Sequence, residues 1–113
     1  MKRSIKHFLD DVIEYCNKAQ EFTEGLTFED FNADDKTFLA TTRALEIVGE
    51  ALKHIPDDIR SRYPEIPWVD IIGFRNTVAH EYFGVNKRIV WNSAIEDTVF
   101  LKTHIQKILK DIE

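Results

Sequence analysis

Cysteine occurs once, at Cys16, so the chain cannot close a disulfide within itself. Four glycines and three prolines in 113 residues exclude a collagen-like or linker-rich protein and leave few places for sharp turns. No apolar run approaches the roughly 18 to 20 residues a membrane-spanning helix needs. The first residues, Met-Lys-Arg-Ser-Ile-Lys-His-Phe-Leu, lack the apolar core of a signal peptide, so a cytoplasmic protein with no membrane role is expected. Strand-like alternation is also absent. Positive charge is short: 15 Lys and Arg face 20 Asp and Glu, a net charge of −5. That balance argues against a protein that coats nucleic acid, because phosphate contacts rely on Lys and Arg releasing counterions. It leaves room for a local positive site, for example in a cleft between two chains.

What remains is helical. The chain is 43% hydrophobic and 31% charged, the profile of one ordered domain, and residues 1–113 are read as a single unit. Ile5, Phe8, Leu9, Val12, Cys16 and Ala19 recur at three-and-four spacing and predict a first helix from Ser4 to about Phe22. A loop from Gly25 to Asp35 carries turn and cap formers. A second helix begins near Asp34 or Asp35, with Phe38, Thr41, Thr42, Leu45, Val48, Gly49, Leu52 and Ile55 on one arc. Pro56 ends it and opens a short helix towards Arg62; Pro67 opens a third long helix, Trp68 to Tyr82, with Gly84 at its expected C-terminal cap. The last helix runs from near Asn86 to Ile112, with Val90 or Trp91, Ile95, Val99, Leu101, Ile105, Ile108 and Ile112 as its stripe. The expected architecture is all-α: an antiparallel four-helix bundle with one additional short helix.

One residue conflicts with this pattern. At about 100° per residue, Trp68, Ile71, Ile72, Arg75, Val78, Ala79 and Tyr82 share a face, with Arg75 at its centre. A guanidinium in an apolar face is costly unless carboxylates, carbonyls or a phosphate meet its donors. Glu46 or Glu50 could answer it as a buried salt bridge. Asn76 and His80 share a second face, roughly 100° to 140° away, while Tyr82 returns to within about 20° of Arg75. A fixed cation, an amide, an imidazole and a phenol at one helical end could hold a phosphodiester and move its protons. Because Arg75 and His80 diverge on one helix, a cleft between two chains is the arrangement that would unite them.

The string Gly-Phe-Arg-Asn-Thr-Val-Ala-His-Glu-Tyr-Phe-Gly, with Arg75, four intervening residues, His80, one residue and Tyr82, resembles the signature of the HepT-like branch of the HEPN superfamily. The stretch Arg43 to Ala51 and the downstream Val-Trp resemble it too, so the likeness spans most of the chain. It implies a HEPN-like bundle that dimerises with the motif helices facing each other. It also implies a toxin that cleaves RNA without metal or other cofactor through Arg75 and His80. A cognate antitoxin, a minimal nucleotidyltransferase, would use ATP and a divalent metal to place AMP on Tyr82. Asn76 would support the pair by orienting His80 or donating to phosphate. Apart from the resemblance, Arg43, Glu46 and Glu50 lie on the polar side of the second helix, a solvated face by default, from which Arg43 and Glu50 are candidates to brace the motif helix.

Blander readings accompany these. His7, His54 and His104 have no metal-ligand spacing with each other or with Cys16, and no metal site is expected. Trp68 and Trp91 read as core or dimer-interface aromatics, and Tyr15 and Tyr63 as packing or surface residues. Two other functions fit the same residues: a non-catalytic, nucleotide-binding accessory of a nucleotidyltransferase, or a plain helical dimer with a buried Arg75 salt bridge.

Overall fold

The computed structural model describes residues 4–73 and 86–112, and all regular structure among them is helical. Helix α1 spans Ile5–Thr23 and buries Leu9, Val12, Cys16, Ala19 and Thr23, the apolar stripe extended by one polar residue. Thr23 is tolerated there because its hydroxyl donates to the carbonyl of Ala19 at 3.0 Å. Gly25, at φ 77°, turns the chain in the left-handed region that side-chain-bearing residues avoid.

The expected loop between Gly25 and Asp35 is largely helical, a correction to the sequence reading. Residues Phe28–Ala33 form α2, a six-residue helix with a reciprocal cap at its start. The Thr27 hydroxyl accepts from the Asp30 amide at 3.1 Å, and the Asp30 carboxylate accepts from the Thr27 amide at 3.0 Å. Phe31 anchors the helix, fully buried against Phe38 and Trp91.

Helix α3, Asp35–Leu52, starts where expected. The Asp34 carboxylate accepts from both the hydroxyl and the amide of Thr37, and those bonds hold its pKa below the usual carboxylate value. Pro56 and Pro67 each stand one residue ahead of a helix rather than inside it. Pro56 is the N-cap of α4, Asp57–Arg60, and Pro67 precedes α5, helical over 68–73.

After the second described stretch opens, Asn86 caps α6, Lys87–Asn92, which passes through a π-helical turn, Ser93–Asp97, into α7, Thr98–Ile112. Here the predicted stripe needs correcting. Ile95, Val99 and Ile112 are 38%, 52% and 40% exposed, while Ala94 and Thr98 are buried. The seam needs small residues where it meets α1: Gln20 reaches across to donate to the Thr98 hydroxyl at 3.1 Å, and Thr98 donates to the Ala94 carbonyl. The buried series is Trp91, Ala94, Thr98, Leu101, Ile105 and Ile108, alternating three and four residues apart.

The three long helices pair antiparallel through α1. Phe8 near its start stacks on His54 just past the end of α3, with ring centroids 4.3 Å apart, and Ala19 near its end packs with Ala44 and Leu45. Gln20 meets the start of α7. Two clusters make the core: one joins α1, α3, α7 and the segment from Ile55 to Trp68, and the other joins Ala19, Phe31, Ala44, Leu45, Val90, Trp91 and Ala94. Cys16 lies inside the first, where burial pushes its thiol pKa up to about 12. No helix among the described residues is long and apolar enough to cross a membrane.

Candidate functional site

Arg75, Asn76, His80 and Tyr82 lie outside the described residues, as does Gly84. The chain on either side of them is described, and both flanks are tied to the core. On the upstream side Trp68 is buried, its indole N–H donating to the carbonyl of Tyr63 at 3.1 Å, and Ile71 and Ile72 pack on the larger cluster. Arg60 lies over the Trp68 ring at 6.0 Å and donates to the carbonyls of Ile55, Leu52 and Lys53, closing the end of α3. Tyr63 donates its hydroxyl to Asp111 on α7 at 2.7 Å, and this bond raises the phenol's pKa. The first turn of α5 is therefore tied to both α3 and α7 at Trp68, seven residues ahead of Arg75.

On the downstream side Trp91 is buried in the second cluster, and Lys87 straps α6 to the body. Its ammonium donates to the Asn32 carbonyl and to Asp35, each at 3.0 Å, and lies over the Phe38 ring. Beside it Arg88 rests on the ring of Phe28, 3.6 Å from its centroid.

Arg43 and Glu50 fall in one cleft between α1 and α3, lined also by Phe8, Asp11, Glu46 and His54. Arg43 donates to Glu46 at 3.3 Å with its side chain 70% exposed. The described turn of α5 approaches α3 on a different side, where Leu45 and Val48 share a hollow with Pro67, Asp70 and Ile71. On a helical wheel Arg43 and Glu50 point roughly 140° to 160° from Leu45. Among the other histidines, His54 is held by its stack on Phe8, and His104 sits 2.9 Å from the Phe100 carbonyl and against the Phe100 ring. Among the described residues no group of three or more His, Cys, Asp and Glu side chains could hold a metal ion. The Arg88–Phe28 pair escaped the sequence reading. Its one signal was that Lys87 and Arg88 are the only adjacent Lys/Arg pair between residues 4 and 112.

An all-α protein that anchors both ends of an Arg, His and Tyr segment to its core is the class this chain defines. Comparison with known proteins then makes the assignment: residues 12–108 match the HepT-like ribonuclease family, and the chain belongs to it. It is 46% identical over 110 residues to a protein of Thermococcus cleftensis named "Probable ribonuclease HepT", covering 97% of this chain and all of that one. Two proteins provisionally named RNases are also similar. One, from Methanocaldococcus jannaschii, is 42% identical with 99% and 93% of the two chains covered. The other, from Caldanaerobacter subterraneus, is 37% identical with 91% and 92% covered. No solved structure matches the chain.

Proposed function

We propose that the chain is the toxin of a toxin–antitoxin pair, a metal-independent endoribonuclease that works as a homodimer in the cytoplasm with Arg75 and His80 as its active pair. The observation that carries this is the intact Arg75 to Tyr82 string within a near full-length match to the ribonuclease family. In the proposed reaction a ribose 2′-oxygen attacks the adjacent phosphorus and gives its proton to a base. The bond to the 5′-oxygen breaks, and that oxygen takes a proton from an acid. His80 serves as base or acid, and two copies across a dimer can divide the duties. Arg75 answers the charge that gathers on the phosphoryl oxygens, and Asn76 orients the imidazole or donates to phosphate. Arg43 and Glu50 face the cleft between α1 and α3 and do not brace the described turn of α5, which approaches α3 on another side. A bundle of four long helices is completed by the motif helix.

Tyr82 is the proposed off switch. Its phenolic oxygen attacks the α-phosphorus of ATP on a cognate minimal nucleotidyltransferase antitoxin, and pyrophosphate leaves. ATP and a divalent metal belong to that partner. The new phosphate sits on the same side of the helical wheel as Arg75, within about 20° of it, and occupies the place of the RNA phosphate.

The test is cleavage of RNA in EDTA by the purified protein and its variants. The wild type should cleave. His80→Ala should lose at least about a hundredfold in rate, the usual contribution of a positioned acid or base, with helicity by circular dichroism unchanged. Wild-type protein that leaves RNA intact and does not slow growth when expressed without the transferase would sink the proposal. Transfer of AMP to a Tyr82→Phe variant would remove Tyr82 as acceptor.

A further inference from the structure

We propose that Arg88, held over the ring of Phe28, is a nucleotide-contact subsite that stacks an unpaired base of the RNA next to the cleaved bond, so that the enzyme favours single-stranded substrate. This rests on the ribonuclease reading above and adds its substrate class.

The geometry comes first. The central guanidinium carbon of Arg88 lies over the Phe28 ring, 3.6 Å from its centroid, which is van der Waals contact with the ring face. Phe28 is itself fixed, edge-on to buried Trp91 with centroids 6.2 Å apart. Arg88 is exposed, and its second face looks away from the ring that holds it. A planar cation fixed on one side by an aromatic offers the other side to a second π-face, and every nucleobase has one.

The local charges point the same way. Four acids lie between Phe28 and Asp35, yet three are committed: Asp30 to the cap of α2, Asp34 to the cap of α3, and Asp35 to Lys87. No carboxylate among the described residues pairs with Arg88. The chain thus spends Lys87 on its own architecture and leaves the neighbouring guanidinium without a carboxylate partner among the described residues, in a protein whose net charge is −5. Distance along the chain sets the reach. Six Cα–Cα steps join Tyr82 to Arg88, so their Cα atoms are at most about 22 Å apart. That range suits a contact with a nucleotide flanking the scissile phosphate.

The experiment compares wild type, Arg88→Ala, Arg88→Lys and Phe28→Leu on a single-stranded RNA and on the same sequence in a duplex. Cleavage gives KM and kcat, and fluorescence anisotropy with a 2′-O-methylated, uncleavable copy gives binding. Arg88→Ala should raise KM and weaken binding to the single strand about tenfold, the order of one lost base stack, with kcat and duplex cleavage unchanged. Arg88→Lys keeps the charge and should not rescue; Phe28→Leu, which removes the platform, should lose part of the same binding. Full rescue by lysine, or equal losses on single strand and duplex, overturns the stacking role. Wild-type KM in Arg88→Ala overturns the subsite while the ribonuclease reading stands, and a shift in dimer dissociation alone assigns Arg88 to a protein contact instead. A wild type that neither cleaves nor binds removes both readings together.

Discussion

At the residue scale the strongest physical argument concerns Arg60. A helix leaves its last carbonyls without partners, and here α3 ends without the left-handed glycine that commonly satisfies them. Arg60 supplies the missing donors to Leu52, Lys53 and Ile55, and its guanidinium then lies over Trp68, the first residue of α5. One side chain thereby closes α3 and seats the segment that leads to Arg75. Arg60→Met keeps much of the stem's packing and removes the donors, so about 1 to 3 kcal/mol of stability should be lost. Urea unfolding should show a lower midpoint at an unchanged slope, and catalysis should fall with it if α5 shifts. A midpoint within error of wild type would mean that water replaces the guanidinium at no cost.

At the element scale α2 shows what local chemistry can do with six residues. An isolated helix that short is not stable in water; the capping box and one buried phenyl ring hold it in place. Thr27→Ala should cost about 1 kcal/mol through the cap, and Phe31→Ala about 3 to 5 kcal/mol through the core. Thermal denaturation that ranked the two in the opposite order would contradict this division. The same helix marks the limit of sequence reading. Thr27, Asp30, Asn32 and Asp34 all signal turns and caps, and a loop is the natural inference when the only apolar anchors are single aromatics. The long helices were legible because burial repeats along them: α1 runs within a residue of its expected bounds, α3 starts at Asp35 as expected but ends at Leu52, three residues short of Ile55, and Asp34 caps where its side chain said it would. The stripe of α7 was misread because hydropathy prefers Ile95 and Val99 to Ala94 and Thr98, whereas a close helix seam prefers the smaller pair. On the site side, the Arg75 to Tyr82 string stands out in the sequence because a fixed cation falls in the middle of an apolar face, although its residues lie outside the described ones. Arg88 was not, since its partner Phe28 lies sixty residues earlier and only the fold brings the two together.

At the scale of the whole molecule, the question is how a protein with net charge −5 handles RNA. A single helix turns Arg75 and His80 about 140° apart, so the proposed site draws the two residues from different copies of the chain. Symmetry makes this testable. In a twofold dimer each composite site takes Arg75 from one protomer and His80 from the other, and there are two such sites. On this proposal, Arg75→Ala and His80→Ala homodimers should both be inactive. When the two variants are mixed, unfolded and refolded together, half of the dimers are heterodimers. Each heterodimer has one site lacking both groups and one site with both intact. About a quarter of wild-type activity should therefore return, on the order set by random pairing of two chains. If instead Arg75 and His80 act from the same chain, or one site needs both His80 copies, no dimer in the mixture holds an intact site and nothing returns. The two arrangements thus predict different numbers from one mixing experiment, and recovered cleavage in EDTA would place the missing positive charge in the cleft between the chains and not on the surface of either.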